Sequence, residues 1–148
     1  MANIPYLPAG LNATIMRNVT LDTLADRLGN PTPAQVLATP ILVAWFEAAV
    51  SRALLPHLAP DQLILGAHIA IEHRRPTPPG HNVWIQARLE RQEGNQTLWH
   101  VVARDEHEVV AEGEVRSALI DQERFHQRLA SKQKPFFPVA DRSTSRPD

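Results

Sequence analysis

The stretch from Pro40 to Leu55 constrains this chain more than any other part of it. It reads Pro-Ile-Leu-Val-Ala-Trp-Phe-Glu-Ala-Ala-Val-Ser-Arg-Ala-Leu-Leu. Thr39 before Pro40 is an N-cap followed by proline at the first helical position, and Pro56 stops the run, so the segment is predicted to be one helix. It is apolar nearly all round, and a helix without a polar stripe has to be wrapped by other structure. The apolar stretch from Val36 to Val50 is interrupted by Thr39, Pro40 and Glu47. It is also shorter than the roughly 20 residues a membrane span needs. The wrapping must therefore come from the rest of a 148-residue chain, a length that suits one domain with a real core.

The remaining sequence supplies a wrapper made of strands. Thr14 to Thr20 reads as a short edge strand. Asn30-Pro31-Thr32-Pro33 is a corner, and Thr32 with Gln35 three residues on is a capping box expected to open a short helix. After Ala59-Pro60-Asp61 the period changes from 3.6 to 2. Ala67, Ile69, Ile71 and His73 fall on one face of a strand, His68, Ala70, Glu72 and Arg74 on the other. Val83, Ile85, Ala87 and Leu89 alternate with Trp84, Gln86, Arg88 and Glu90 in the next. Glu93-Gly94-Asn95 signals a hairpin, Leu98 to Arg104 a third long strand with Trp99 on its outer face, and Val109 to Leu119 a fourth with a small, mostly apolar face. A terminal helix is expected over Asp121 to Ser131, with Asp121 as its N-cap. Tight turns between consecutive strands predict sequential hairpins and hence an antiparallel sheet. The expected architecture is α+β: about five antiparallel strands wrapped around one apolar helix. The domain is expected to span 1–131, with a polar, proline-bearing tail at 132–148 that is partly disordered.

Composition removes several function classes. The 15 basic and 16 acidic side chains nearly cancel, so there is no global field for nucleic acid or anionic lipid. Without cysteine there is no disulfide framework, thiolate nucleophile or zinc–thiolate site. The six glycines are too scattered for a dinucleotide fingerprint or a P-loop, and His107-Glu108 is not followed by the second histidine of a zinc protease motif. No serine sits in a nucleophile elbow. The chain opens without a basic cluster and apolar run, so the expectation is a soluble cytoplasmic protein.

Three residues depart from the pattern around them. Glu47 lies in the middle of the apolar helix, where an unpaired carboxylate is costly; it must pair, protonate, face a cleft or lie at a subunit interface. His73 shares the inward strand face with Ile69 and Ile71, close to the Pro76–Gly80 turn, and could be either a satisfied core histidine or an acid/base group. Thr39 is explained by capping alone, but a helix N-terminus also favours a carbonyl or oxyanion.

At these residues the chain resembles a known family. Leu37-Ala38-Thr39-Pro40-Ile41-Leu42-Val43-Ala44-Trp45-Phe46-Glu47 resembles the helix-opening motif of hot-dog thioesterases related to fluoroacetyl-CoA thioesterase. Leu65-Gly66-Ala67-His68-Ile69-Ala70-Ile71-Glu72-His73, followed by Pro76-Thr77-Pro78-Pro79-Gly80, resembles the family's next signature. The likeness runs from about Pro31 to Leu129. It implies a homodimeric, or higher oligomeric, hot-dog enzyme that hydrolyses acyl-CoA or acyl-pantetheine thioesters without metal or cofactor. Thr39, Glu47 and His73 match the catalytic trio, and Gly66 matches the glycine beside the thioester. The family's fluoroacetyl-selective features are not matched here, so fluoroacetyl-CoA is not expected to be the natural substrate. Two other readings belong to the same fold: a ligand-binding module without turnover, and an acyl-thioester hydratase or dehydratase. No Asp-x-x-x-x-His arrangement opens the central helix, which counts against the latter.

The trio has chemical sense. Thioester hydrolysis needs an activated nucleophile, a proton donor for the leaving thiolate and dipoles for the oxyanion. His73 is assigned acid/base work oriented by Glu47, with Thr39 as nucleophile or positioning hydroxyl; water and Glu47 itself are the alternative nucleophiles. Eight residues of helix put Thr39 and Glu47 about 12 Å apart along the axis. Either His73 bridges them or the site assembles across a dimer interface. Arg74, Arg75, Arg88 and Arg116 are candidates for phosphate contacts.

Overall fold

A computed structural model describes residues 3–133. Strand β1 is Asn12–Asn18, helix α1 Thr39–Leu54, and strands β2 to β5 are Gln62–His73, Asn82–Glu93, Gln96–Arg104 and Val109–Asp121; helix α2 is Gln122–Lys132. Short 3-10 turns stand at Leu21–Thr23, Ala25–Arg27 and Leu55–His57. The five strands form one antiparallel sheet in the order β1-β3-β4-β5-β2, and the sheet wraps α1 as the apolar helix requires. Leu42, Phe46, Ala49, Val50, Ala53 and Leu54 of α1 are buried against Val83, Ile85 and Ala87 of β3 and their neighbours on β4 and β5. Each large side chain in this layer contributes about 1.5–3 kcal/mol by leaving water. Asp121 caps α2 as expected, its carboxylate accepting the Arg124 amide at 2.9 Å. Among the described residues no helix is long and apolar enough to cross a membrane. The expected tail lies, from residue 134 onward, outside the described residues.

Three expectations need correction. No helix forms at Thr32–Gln35. The Asn30 side-chain oxygen takes both the Thr32 amide (3.0 Å) and its hydroxyl (2.6 Å), which removes the cap. The chain then runs extended so that Leu37 bridges Leu24. Trp99, read as facing outward, is fully buried: β4 turns Thr97, Trp99, Val101 and Ala103 inward. The buried indole N–H is satisfied by the Thr97 hydroxyl at 2.8 Å. Finally, β2 and β3 are not a hairpin. β2 pairs with β5, and residues 74–81 cross the end of the sheet to reach β3 on the far side. Along this crossing the amides of Arg74 and Arg75 donate to the Val110 carbonyl, and the Thr77 carbonyl accepts the Leu37 amide at 2.9 Å.

Both features that position the site follow from this topology. β2 is an edge strand, with one side unpaired among the described residues. It also carries a bulge between Gly66 and His68. Strict alternation over the seven residues from Gly66 to His73 would put the two on opposite faces. The extra residue, Ala67, resets the parity. Gly66, Ile69, Ile71 and His73 all turn toward α1, while His68, Ala70 and Glu72 face solvent.

Candidate active site

Thr39 is the first residue of α1, not its cap. The cap is Ala38, whose carbonyl accepts the Ile41 and Leu42 amides at 3.1 and 3.2 Å, and no side chain caps the helix. The threonine hydroxyl is spent elsewhere, 2.8 Å from His73 Nδ1. The pair is set by the backbone: the Leu37–Thr77 hydrogen bond ties the segment entering α1 to the segment leaving β2, with Thr39 two residues after one partner and His73 four before the other.

His73 is partly buried, and its second ring nitrogen, Nε2, is buried with no hydrogen-bond partner among the described residues. Burial holds the imidazole pKa below the ordinary histidine range, with the Arg75 backbone acting the other way to a lesser extent. The ring is therefore neutral at pH 7, with one nitrogen able to accept a proton.

Glu47 occupies a different place. It stands on the open face of α1, exposed in the single chain, and makes no hydrogen bond or ion pair among the described residues. Its carboxylate lies over Gly66: a Cβ there would overlap Oε1. Only glycine lets the strand backbone and the carboxylate come this close. The chain thus brings its four predicted site residues together as two pairs, Thr39 with His73 and Glu47 with Gly66. No hydrogen bond joins the pairs within one chain.

A supporting residue went unmarked in the sequence. Thr77 is fully buried and its hydroxyl donates to Asp105 at 3.1 Å. Burial opposes ionisation of Asp105, but the amides of His107 and Glu108 and the Thr77 hydroxyl together hold its carboxyl below the usual carboxylate range. This anchors the crossing segment against the β4–β5 turn. Nothing in the spacing of Pro76-Thr77-Pro78 distinguishes it from an ordinary surface turn. Of the arginines considered for phosphate, Arg74 is paired with Glu72 and Glu112, and Arg75 with Glu108.

Comparison with known proteins agrees with the architecture. A hot-dog-like protein from Thermanaerovibrio acidaminovorans superposes with a TM-score of 0.78 at 17% identity, covering 85% of this chain and 93% of that one. The fold is the hot dog. The family model for the fluoroacetyl-CoA-specific thioesterase matches residues 19–123. The fluoroacetyl-CoA thioesterase of Streptantibioticus cattleyicolor is 35% identical over 98 residues, 66% of this chain and 70% of that protein. A solved fluoroacetyl-CoA-specific thioesterase, a phenylalanine-to-alanine variant in complex with fluoroacetate and CoA, is 31% identical over 80% of this chain and 99% of that one, with a TM-score of 0.75. The chain belongs to the fluoroacetyl-CoA-specific thioesterase family.

Proposed function

We propose that this protein is an acyl-CoA thioesterase that works as a homodimer, with each site drawn from both subunits. The observation that carries the reading is the 2.8 Å approach of Thr39 Oγ1 to His73 Nδ1, beside the N-terminus of α1, whose dipole favours a developing oxyanion. With His73 neutral, Nδ1 accepts the Thr39 hydroxyl proton as that oxygen, or a water held by it, attacks the thioester carbonyl. The imidazolium then returns the proton to the leaving CoA thiolate; where the threonine oxygen is the nucleophile, His73 next deprotonates a water that cleaves the acyl-threonine ester, releasing the free acid and restoring the hydroxyl.

The second pair enters through the dimer. Two β2 edges paired antiparallel about a two-fold axis near Ile69–Ala70 run the Gly66 end of one strand beside the His73 end of the other. That arrangement covers the unpaired edge. It also brings Glu47 of the partner subunit toward the Thr39–His73 pair, and offers its carboxylate to the otherwise unpartnered Nε2 as the imidazolium forms. The acyl group is a small or medium one. Release of free CoA from a panel of acetyl-, medium-chain and aromatic acyl-CoAs tests the reading: turnover abolished by His73→Ala supports it, and a failure to release CoA from any member rejects it.

A further inference from the structure

Among the described residues four polar side chains are buried: Gln62, Thr77, Thr97 and Ser117. Three of them are satisfied. Gln62 accepts the Ala59 amide at 3.0 Å and donates to the Asn3 carbonyl at 2.9 Å. Thr77 donates to Asp105. Thr97 donates to the Ser117 carbonyl at 3.3 Å and accepts the Trp99 indole N–H at 2.8 Å. The Ser117 hydroxyl is different: the residue is 3% exposed, yet its oxygen makes no hydrogen bond to any described residue. Nor is that oxygen sealed in, since the fully enclosed side-chain polar atoms without a partner are Asp26 Oδ1 and His73 Nε2. A hydroxyl held at the edge of the core and left idle costs stability unless something else uses it.

The register of the sheet places Ser117 next to the Glu47–Gly66 pair. Ser117 and Gly66 are direct partners across β5 and β2, and both face α1: Val115, Ser117 and Leu119 are the buried row of β5, and Gly66 lies under Glu47. Glu47 Oε1 stands where a Gly66 Cβ would be, with Cδ 3.0 Å and Oε2 3.8 Å from that point. Paired residues hold their Cβ positions about 4.5–5.5 Å apart. The Ser117 hydroxyl therefore starts within about one hydrogen bond and a small swing of the carboxylate, and rotation about its single χ1 with a shift of the exposed glutamate closes the gap.

We propose that Ser117 is the positioning residue for Glu47: in the assembled site its hydroxyl donates to the carboxylate and holds it over Gly66. The inference rests on the shared-site thioesterase reading and adds to it the group that aims the glutamate. Glu47 has three side-chain torsions and no partner among the described residues. Its carboxylate accepts on both oxygens, so one can take Ser117 while the other meets the partner subunit's His73. Fixing that orientation before the imidazolium forms acts on the chemical step and leaves substrate binding alone.

The test is Ser117→Ala, read first in the otherwise unsubstituted protein. Its kcat falls about tenfold or more, as expected for the loss of a hydrogen bond to a charged group, while KM and Tm stay near parental because no contact within the chain is removed. The variant is then placed in mixed dimers of His73→Ala and Glu47→Gln chains, whose one intact site takes Thr39 and His73 from the Glu47→Gln chain and Glu47 from the His73→Ala chain. Ser117→Ala carried on the His73→Ala chain cuts the recovered turnover by the same factor; carried on the Glu47→Gln chain it has no effect. A merely structural serine cannot tell the two chains apart. An unchanged kcat, a rise in KM with kcat intact, or an equal loss from either chain overturns the inference and leaves the thioesterase reading standing. If the mixture without Ser117→Ala recovers nothing, the shared site is rejected, and the kcat of the single variant decides Ser117. In a protein that hydrolyses no thioester, the carboxyl carbon resonance of Glu47, assigned by its disappearance in Glu47→Gln, reads the contact instead: a shift in Ser117→Ala supports it, and an unmoved resonance overturns it.

Discussion

The Thr39 hydroxyl, which the helix start would ordinarily use as a cap, points instead to His73 Nδ1 at 2.8 Å, and the helix begins on the Ala38 carbonyl without a side-chain cap. A cap contributes about 1 kcal/mol, so the arrangement forgoes local stability for a hydrogen bond to a histidine. Thr39→Ala is accordingly expected to cost activity and little stability. Turnover of the best acyl-CoA should fall about 10²-fold or more, with Tm nearly unchanged, and Thr39→Ser should retain most of it. Steady-state kinetics with a thermal melt checks both.

His73 gives a pH signature with a definite sign. Burial lowers its folded-state pKa below that of the unfolded chain. Above the ordinary histidine pKa both states are neutral and the shift has no effect on stability. As pH falls toward the folded-state pKa, the unfolded chain takes up a proton that the folded one refuses, and stability declines. The parent should therefore lose more stability between pH 7 and 5 than His73→Gln does. The rate profile should keep its acid limb below the usual histidine range, and the residual activity of His73→Gln should lack that limb.

Gly66 and Gly113 make a controlled comparison, because a Cβ at each meets something different. At Gly66 it overlaps the end of an exposed glutamate, which can swing away; at Gly113 it overlaps the Ala70 backbone carbonyl, which cannot. Gly66→Ala should fold with near-parental stability and lose activity as Glu47 is displaced. Gly113→Ala should lose about 1–3 kcal/mol of stability, the usual cost of overpacking. Denaturant melts set beside kcat/KM separate the two.

Thr77→Val keeps the volume and removes the hydroxyl donated to Asp105. It should cost about 1–3 kcal/mol and loosen the segment that carries the Leu37–Thr77 hydrogen bond. Hydrogen exchange at the Leu37 amide should quicken relative to core amides of β4.

Much of the fold was legible because burial leaves a period. The 3.6 pattern broken by Glu47 located the helix, and the period-2 faces of β3 and β5 came out as read. What was not legible is non-local. Local turn signals at Pro76–Gly80 are the same for a hairpin and for a crossing, so the pairing of β2 with β5 could not be read from them. Trp99 was misfaced because the inward side of β4 includes a threonine whose only mark is the indole it satisfies. Thr39, Glu47 and His73 stood out from the pattern around them, and Gly66 was marked by the family resemblance alone. Their grouping into two pairs was hidden by the bulge at Ala67, which alternation cannot anticipate.

The central claim is that Thr39 and His73 act from one subunit and Glu47 from the other. Mixing two inactive proteins tests it most directly. After subunit exchange, a His73→Ala protein combined with a Glu47→Gln protein should recover about a quarter of parental turnover, since half the dimers are mixed and each mixed dimer holds one intact site. A Thr39→Ala protein combined with His73→Ala should recover nothing. No recovery in the first mixture after verified exchange, or equal recovery in both, would contradict the account.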